Sequence, residues 1–344
     1  MTVLLNTLYV TTPDAYLRLE GETVCVMVED QKRLQAPLHH LGAFVLFGHA
    51  MLSPALLGRC AEDGRSVVWL DRSGRFRARL EGPVNGNILL RQAQYRAADD
   101  GARTLALARF TVAGKLRNSR RVLVRGARET DHPAEREALV GAARHIGNQI
   151  RKLPEVENLD RLRGFEGEAA STYFGVLPLL VKESVRAEFP FKGRNRRPPR
   201  DRFNALISFL YALVLADCRA GLETVGLDPQ LGFLHEVRPG RPALALDLLE
   251  EFRAPLCDRL ALTLVNRGQL QAKDFDAREG GAVLLNDDGR KKVIGAYQDR
   301  KQESLRHPVL DSDLSIGLLA LVQARLLARF LRGDVEHYVP FLIR

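Results

Sequence analysis

The residues best suited to chemistry lie between Gly226 and Arg253, where one histidine and two carboxylates occur close together. His235 follows an apolar turn, and Asp247 and Glu250 come after a loop rich in proline, glycine and arginine. Residues three apart share a helix face, so both carboxylates are predicted to point at one place near a helix start, where backbone N–H groups favour anions. One imidazole with two oxygen donors would form half of a divalent-metal site.

The other half requires a carboxylate from elsewhere in the chain, and Glu166 in the segment RGFEGEAASTYF is the best candidate. Carboxylates with one imidazole suit Mg²⁺ or Mn²⁺, and the imidazole shifts the preference toward Mn²⁺. Such an ion can act as a Lewis acid on a phosphoryl oxygen. Each residue also has a structural alternative. Glu166 can simply begin a helix, a single histidine before a loop is more often structural, and acids in a first turn stabilise a helix through its dipole.

The composition is that of a basic globular protein. The 344 residues have room for two domains, and a hydrophobic share of 46% is typical of a protein with a substantial core. Lysine and arginine number 51 against 42 acidic residues, a net charge of +9. This surplus fits a polyanionic partner and, equally, a merely arginine-rich surface. The four cysteines are predicted to be buried reduced thiols. With no leader-like N-terminus and no apolar run of ~20 residues, we expect a cytoplasmic protein without membrane contact.

An α+β fold is predicted, beginning with a small β-sheet domain over residues 1–84. Short alternating apolar runs separated by turn residues indicate its strands. One helix interrupts them, with Ser53 as the N-cap, Pro54 in the first turn and Gly64 just beyond the end. The domain carries no cluster of residues suited to catalysis, so we expect it to mediate dimerisation.

Residues 85–344 are predicted to form a larger all-helical domain that carries the catalytic and DNA-binding residues. A linker is expected at Gly82–Asn87, and apolar residues recur at helical spacing beyond it. One exception is the stretch 280–294, predicted to be a hairpin that turns at Asp288 and Gly289. The C-terminal tail, with its aromatic residues, could either pack on the core or contact DNA.

Two groups of basic residues accompany the candidate site. Four arginines are spaced to line one helix face, which favours either a solvated surface or a track for phosphates: Arg117, Arg121, Arg125 and Arg128. The segment 191–202 has six cations, a single acid and two prolines that exclude a helix. It is predicted to be a mobile loop that becomes ordered only against an anion. Its candidate DNA-contacting residues are Arg194, Arg196, Arg197 and Arg200.

Long motifs in order along the chain resemble the CRISPR-associated adaptation integrase family, the first of the numbered Cas proteins, and look closest to the type I-C version. The motifs are LLNTLYVTTPDAYLRLEGE, RGFEGEAASTYF, RNRRPPRDRFNALISFLYALV and GLDPQLGFLHEVRPGRPALALDLLEEFRAP. The resemblance implies an N-terminal β domain for dimerisation and a helical catalytic domain. It also implies metal ligands at the glutamate of GFEG, the histidine of GFLH and the acid that ends DLLE. These are Glu166, His235 and Glu250, the residues that the pattern itself favours.

The resemblance implies weaker roles for several neighbours. Asp247 matches a further acidic position of the motif and is expected to assist the ligands without being one of them. Arg253, Tyr173 and Asn204, with the loop arginines, are expected to contact DNA or shape the site. For Tyr173, simple packing against the next helix is at least as good an interpretation.

Together these observations predict a metal-dependent DNA integrase and endonuclease of CRISPR adaptation. The 3′-hydroxyl of a short double-stranded fragment with single-stranded 3′ ends would attack a phosphodiester at the edge of a CRISPR repeat. By resemblance, two homodimers would flank a dimer of the small second adaptation protein, forming a heterohexamer. Two alternatives stay open: a structure-selective repair nuclease for branched DNA, and a non-catalytic nucleic-acid scaffold in which the three residues are structural.

Overall fold

The computed structural model describes residues 6–71, 74, 76–82 and 88–343. A region of β-sheet is followed by a predominantly helical region, so the predicted α+β class is confirmed. All four cysteines are buried and free of disulfides. The predicted linker at 82–87 lies outside the described residues apart from its first position.

The chain divides into two compact units. The first combines Met1–Asn85 with Asn286–Glu303, and the second combines Gly86–Leu285 with Ser304–Arg344. Residues 85–344 were predicted to form a single domain, whereas the segment Asn286–Glu303 belongs with the N-terminal unit. The predicted boundary near residue 84 falls outside the described residues and stays a prediction.

Two four-stranded sheets make up most of the first unit. Their strands are β1 (Asn6–Val10), β2 (Tyr16–Glu20), β3 (Thr23–Val28), β4 (Gln31–Pro37), β5 (Leu41–Phe47), β6 (Met51–Leu52), β7 (Ser66–Leu70) and β8 (Phe76–Arg79). One sheet has the order β1-β5-β7-β8, parallel except for β8, and the other has the order β4-β3-β2-β6, antiparallel except for β6. Leu17, Val24, Phe44 and Leu46 are fully buried in the core of the unit.

The helix α1 (Pro54–Glu62) of this unit begins as predicted, because the Ser53 hydroxyl accepts a hydrogen bond from the Leu56 N–H at 3.2 Å. Strand β4 was not predicted from the sequence. Its residues QKRLQAP are nearly all exposed, and an edge strand of that kind shows no apolar alternation.

The remaining helices, apart from the one at Asp287–Gln302 in the first unit, belong to the second unit. In chain order they are α2 (Ile88–Asp99), α3 (Gly101–Glu129), α4 (Pro133–Lys152), α5 (Leu159–Val176), α6 (Glu183–Arg186), α7 (Arg202–Val225), α8 (Ala243–Glu250), α9 (Arg259–Asn266), α10 (Asp287–Gln302) and α11 (Leu319–Arg332). A π-helical turn, Arg253–Asp258, precedes α9. Two small antiparallel pairs complete the fold: β9 (Phe275–Ala277) with β10 (Val283–Leu285), and β11 (Ser304–His307) with β12 (Ser312–Ser315).

The helix α7 is long and apolar enough to cross a membrane by length and composition, contrary to the expectation that no such stretch exists. Of its most apolar stretch, 61% is buried inside the protein, as in the core helix of many folded domains. Its start is fixed by Asp201, whose carboxylate accepts a hydrogen bond from the Asn204 N–H at 2.7 Å. Its end is fixed by Gly226, where φ of +90° favours glycine.

The hairpin predicted around Asp288 and Gly289 is wrong. Asn286 acts as an N-cap, and its side chain accepts a hydrogen bond from the Gly289 N–H at 2.9 Å. Two aspartates then occupy the first turn, where the helix dipole favours acids. These local effects make the segment the start of α10, and strand β10 pairs with the preceding β9 instead.

Candidate metal centre

Glu166, His235 and Glu250 converge although three separate elements carry them. Glu166 lies within α5, His235 lies in the irregular segment between α7 and α8, and Glu250 is the last residue of α8. His235 Nε2 lies 3.6 Å from Glu250 Oε1. The Lys115 ammonium, on α3, contacts the Glu166 carboxylate and lies 2.8 Å from Glu250 Oε2. The two carboxylates therefore share one cation.

The role predicted for the start of α8 is wrong. Asp247 is in the second half of this helix and Glu250 is its final residue, so neither lies among the free N–H groups of a first turn. Other groups offset the charges of these carboxylates. Backbone N–H groups of the preceding loop bind Asp247, and basic side chains surround Glu250.

Asp247 holds the loop and the imidazole in place. Its Oδ2 accepts hydrogen bonds from Phe233 N (2.6 Å) and Leu234 N (3.0 Å), and its Oδ1 accepts one from His235 N (2.9 Å). The same Oδ1 lies 2.7 Å from His235 Nδ1. This contact fixes the imidazole so that Nε2 faces Glu250, and Nε2 is then the ring nitrogen available to a metal ion.

A glycine permits this close packing of the loop on α8. A Cβ atom at Gly232 would lie 2.6 Å from the backbone of Ala243 and 2.8 Å from Asp247 Oδ2, closer than any real contact. The glycine of the GFLH motif therefore lets the His235 loop approach the helix that carries its partner.

Glu250 is a buried carboxylate surrounded by cations. Only 2% of its side chain is exposed, and Arg253 Nη2 lies 3.0 Å from Oε1. Burial acts to raise the pKa of Glu250, but the charges of Arg253, Lys115 and His235 outweigh it and hold the pKa well below the usual range. Its Oε2 has no well-directed hydrogen-bond donor among the described residues, although the Lys115 ammonium is near.

This donor set fits a hard divalent cation. Two carboxylates and one imidazole nitrogen are ligands that Mg²⁺ and Mn²⁺ accept, and Glu250 Oε2 is a buried acceptor without a directed donor. In the part of the chain that the structure describes, no three histidine, cysteine, aspartate or glutamate side chains are arranged to enclose an ion as they stand. The Lys115 ammonium lies between the carboxylates instead.

Behind the cluster, a second set of polar residues supports Arg253 on the π-helical turn. The Arg253 guanidinium lies 4.9 Å from the centre of the Tyr211 ring, and that of Arg194 lies 5.4 Å from it. The hydroxyls of Tyr211 and Tyr173 donate to the two oxygens of Asp258, at 2.8 and 3.0 Å. Burial raises the pKa of Asp258 to about 6, and the tyrosine hydrogen bonds and nearby arginines limit the rise.

The C-terminal tail packs on the core beside this site. Glu251, next to Glu250, is buried and accepts hydrogen bonds from the Tyr338 hydroxyl, from Gln323 Nε2 (2.8 Å) and from Phe341 N (2.7 Å). Tyr338 and Phe341 are 4% and 2% exposed, so of the two roles left open for the tail the structure shows packing. Burial raises the pKa of Glu251 to about 7, and its hydrogen bonds partly oppose the rise.

Two residues expected to contact DNA are buried. Tyr173 is 3% exposed and binds Asp258, so the packing interpretation describes it better. Asn204 is fully buried and ties down the basic loop: its Oδ1 accepts from Arg194 Nη1 (2.8 Å) and Asn195 N (3.1 Å), and its Nδ2 donates to Gly193 O (2.9 Å). Of the two roles expected for these side chains, contacting DNA or shaping the site, their burial favours the second.

The basic loop, predicted to become ordered only against an anion, makes several hydrogen bonds within the chain. Asn195 Oδ1 accepts a hydrogen bond from Arg200 N (2.7 Å), and the Pro199 carbonyl accepts one from Val283 N (2.8 Å). Arg194 is partly buried against Asn204 and Ser208. The remaining predicted DNA-contacting arginines of the loop are at least partly exposed: Arg196, Arg197 and Arg200.

A groove between α3 and α4 is lined by five arginines, which we call the arginine groove: Arg120, Arg128, Arg136, Arg144 and Arg151. Its described lining contains no acidic residue. Four arginines were predicted to share one face of α3, but only Arg128 of that set lines this groove, and Arg125 instead pairs with Glu129 at 2.6 Å.

Sequence reasoning missed Lys115, Tyr211 and Asp258. The available signal for Lys115 was a single cation between Gly114 and Leu116, within the stripe of residues that α3 buries. Tyr211 and Asp258 gave no comparable signal, because both lie in apolar segments whose partners are distant in the sequence.

Comparison with known proteins establishes the family of this chain. Residues 8–299 match the family described as CRISPR associated protein Cas1. The chain belongs to the Cas1 family. A CRISPR-associated endonuclease Cas1 of Moorella thermoacetica is 54% identical over 344 residues, covering 100% of both chains. Another from Chlorobaculum tepidum is 49% identical over 340 residues, covering 99% of both. The predicted family is therefore confirmed.

Solved structures of Cas1 proteins have the same fold. A CAS1 protein from Thermotoga maritima superimposes with a TM-score of 0.80 at 24% identity, over 96% of this chain and 97% of that one. A casposase bound to integration product gives a TM-score of 0.81 at 21% identity, over 97% and 92% of the two chains. At such identities the likeness establishes the fold alone.

Proposed function

We propose that this Cas1 family member, of the type I-C version, is a metal-dependent DNA integrase and endonuclease of CRISPR adaptation. It would act in the cytoplasm and insert short foreign fragments into a CRISPR array. The observation that carries the proposal is that Glu166 and Glu250 share the Lys115 ammonium and that His235 Nε2 lies 3.6 Å from the same Glu250 carboxylate. Relatives that cover the whole chain are named endonucleases, which supports the same conclusion.

The reaction is a transesterification. The 3′-oxygen of the fragment bonds to phosphorus at the edge of a repeat, and the 3′-oxygen of the neighbouring nucleotide leaves. One proton passes, overall, from the attacking hydroxyl to the leaving oxygen. The number of phosphodiester bonds does not change, so no external source of energy is required.

Glu166, Glu250 and His235 Nε2 are the groups that would hold Mg²⁺ or Mn²⁺. When bound, such an ion supplies Lewis-acid chemistry at a phosphoryl oxygen. Asp247 keeps the imidazole oriented through its hydrogen bond to Nδ1. Arg253 remains beside Glu250 with 17% of its side chain exposed, enough to present a cation to a phosphate at the mouth of the site.

The DNA surfaces in this proposal are the loop arginines (Arg196, Arg197 and Arg200) and the arginine groove. Guanidinium groups bind backbone phosphates irrespective of sequence. Along α4, Arg136 and Arg144 are eight positions apart, a rise of roughly 12 Å, so consecutive arginines can follow a phosphate chain without crowding. The substrates would be double-stranded DNA with single-stranded 3′ ends, and CRISPR repeat DNA.

The proposal also includes an assembly of several chains. In the proposal, the N-terminal β unit mediates a homodimer, and two such dimers flank a dimer of the small second adaptation protein as a heterohexamer. A fragment longer than one protomer's surface can then lie across the whole assembly. Solved complexes with the same fold include one named Cas6-RT-Cas1–Cas2, which supports a partner of this kind.

An integration assay tests the proposal. The purified protein, with its small partner, fragment DNA and repeat DNA, should join the 3′ ends in Mg²⁺ or Mn²⁺, and EDTA should abolish joining. Glu166→Gln and His235→Gln should bind DNA normally and fail to join it. Cleavage of branched DNA that needs no partner would favour a repair nuclease. Unchanged activity in both variants would leave only a scaffold.

A further inference from the structure

Lys115 lies where a divalent ion would bridge the candidate ligands. Its ammonium contacts the Glu166 carboxylate and lies 2.8 Å from Glu250 Oε2. Only 11% of the Lys115 side chain is exposed, against 26% for Glu166 and 2% for Glu250. The lysine reaches this position from α3, whereas the carboxylates come from α5 and α8. Three elements of the helical unit thus meet at one positive charge.

Repulsion between the Glu166 and Glu250 carboxylates explains why they need a neighbouring cation when no metal ion is bound. Two carboxylates that face one position repel each other, and a buried ion that loses its partner is strongly destabilising. Arg253 and His235 reach Glu250 Oε1, and Oε2 is left to the lysine. The ammonium lies 2.8 Å from Oε2, so it offsets the charge of this oxygen at the place that a metal ion would take.

We propose that Lys115 is a built-in competitor of the divalent ion: its ammonium occupies the position between Glu166 and Glu250 in the metal-free protein, and the metal binds only when this ammonium moves away. The inference rests on the metal site of the proposed function. The two cations exclude each other because they need the same oxygens and because like charges this close repel strongly inside a protein.

A neighbouring cavity gives the displaced ammonium a place to go. It has a volume of about 20 Å³, and its lining includes Lys115, Ser119, Tyr211 and Asp258. That volume accommodates one water-sized group, which is also the size of an ammonium. The cavity is also lined by Arg253, so in this proposal a rotation of the lysine side chain moves the ammonium from the Glu166 and Glu250 carboxylates toward the Asp258 carboxyl, which also offsets that guanidinium.

Mn²⁺ binding to the full-length protein without DNA, followed by electron paramagnetic resonance, tests the inference. Lys115→Met keeps an unbranched side chain and removes the charge, so Mn²⁺ should bind about tenfold more tightly than to wild type, within the usual range for coupling between two ligands. Lys115→Arg keeps a cation and should bind no more tightly than wild type. Lys152→Met, an exposed lysine at the end of α4, is the control and should not change the affinity.

Thermal unfolding is a second measurement that does not depend on catalysis. Metal-free Lys115→Met should unfold at a lower temperature than wild type, because Glu250 Oε2 loses its neutralising charge. Saturating Mn²⁺ should raise its unfolding temperature by more than that of wild type, since tighter binding to the folded state stabilises it further.

An equal or weaker Mn²⁺ affinity in Lys115→Met overturns the inference and makes Lys115 a structural part of the site. If Lys115→Met does not fold, Lys115→Gln is measured against Lys115→Arg with the same expectation. Equal Mn²⁺ affinities for wild type and Glu166→Gln would instead refute the metal site itself. The two failures are therefore distinguishable.

Discussion

Helix α3 contributes basic residues to both the candidate metal centre and the arginine groove. The two regions differ in whether these basic side chains are paired with carboxylates. Lys115 and Arg253 are mostly buried and contact carboxylates. The arginines of the groove face a lining whose described residues include no acid for them to pair with. Basic side chains that are paired and buried fix the geometry of acidic groups, whereas those that line an open groove remain available to an external polyanion.

The two regions should therefore respond differently to salt and to substitution. Interactions of exposed charges are screened at physiological ionic strength, whereas buried pairs are screened much less. DNA affinity should depend on the groove and fall with salt, and the chemical step should depend on the centre. Each of the following experiments separates the two regions or shows that they cannot be separated.

The largest effect is expected from Glu250→Gln. Joining of DNA ends should fall roughly 10³-fold or more, since several kcal/mol of charge stabilisation would be removed with the ligand. DNA affinity, measured by fluorescence anisotropy at fixed salt, should be unchanged because the groove is intact. A parallel decrease in DNA affinity would mean that the centre and the groove form one binding surface.

Asp247→Asn should have the next largest effect, on metal affinity. Without the carboxylate that orients His235, Mn²⁺ binding is expected to weaken by about 10–100-fold, as for other residues that hold a metal-binding histidine. Asp160→Asn, an exposed acid of α5 that pairs with Arg163, is the matched control and should leave Mn²⁺ binding unaltered. Titration of both variants with Mn²⁺ gives the comparison, and equal affinities would remove Asp247 from the site.

Removal of two groove arginines should affect only DNA binding. Arg144→Ala with Arg151→Ala should lower the slope of log affinity against log salt by about one for each phosphate that the variant no longer binds. Arg125→Ala, on the same pair of helices but already paired with Glu129, should change the slope less. Anisotropy titrations over a range of salt concentrations give both slopes. Equal slopes in the two variants would exclude the groove as a phosphate track.

The smallest effect on either activity is expected from Asp258→Asn, which should change the pH dependence of stability. Burial raises the pKa of Asp258 to about 6, so in the folded protein the carboxyl keeps its proton at pH values where the unfolded chain has already released it. Wild type should become less stable as pH rises from about 4 to 6, and the variant should show a smaller decrease, because the raised pKa of Glu251 still contributes. Urea unfolding at several pH values measures the difference, and parallel profiles would contradict the assignment.

The sequence was sufficient to predict regular elements that have strong local signals. The cap at Ser53 and the helical periodicity of α3 and α4 correspond closely to the structure. Strand β4 escaped prediction because it is polar, and α10 was mistaken for a hairpin because Asp288 and Gly289 are typical of a turn as well as of a capped helix start. These errors are local in origin and could be avoided by weighing capping against turn propensity.

The site was predicted only in part, because several of its contacts join residues far apart in the sequence. The pattern of acids and a histidine singled out Glu166, His235 and Glu250. No spacing rule could show that Lys115 lies between two of them, since that contact depends on how α3, α5 and α8 pack. The resemblance left open whether Tyr173 and Asn204 contact DNA or shape the site, and only the packing of the helices shows that both side chains are buried.

The attachment of Tyr338 and Phe341 to Glu251 also sets an order of events during synthesis. Chains grow at roughly 5–20 residues per second, and domains fold as they emerge. The helix that ends at Glu250 is made well before the aromatic residues that complete the surroundings of its neighbour. A nascent chain therefore cannot complete the surroundings of Glu251 until Tyr338 and Phe341 have left the ribosome.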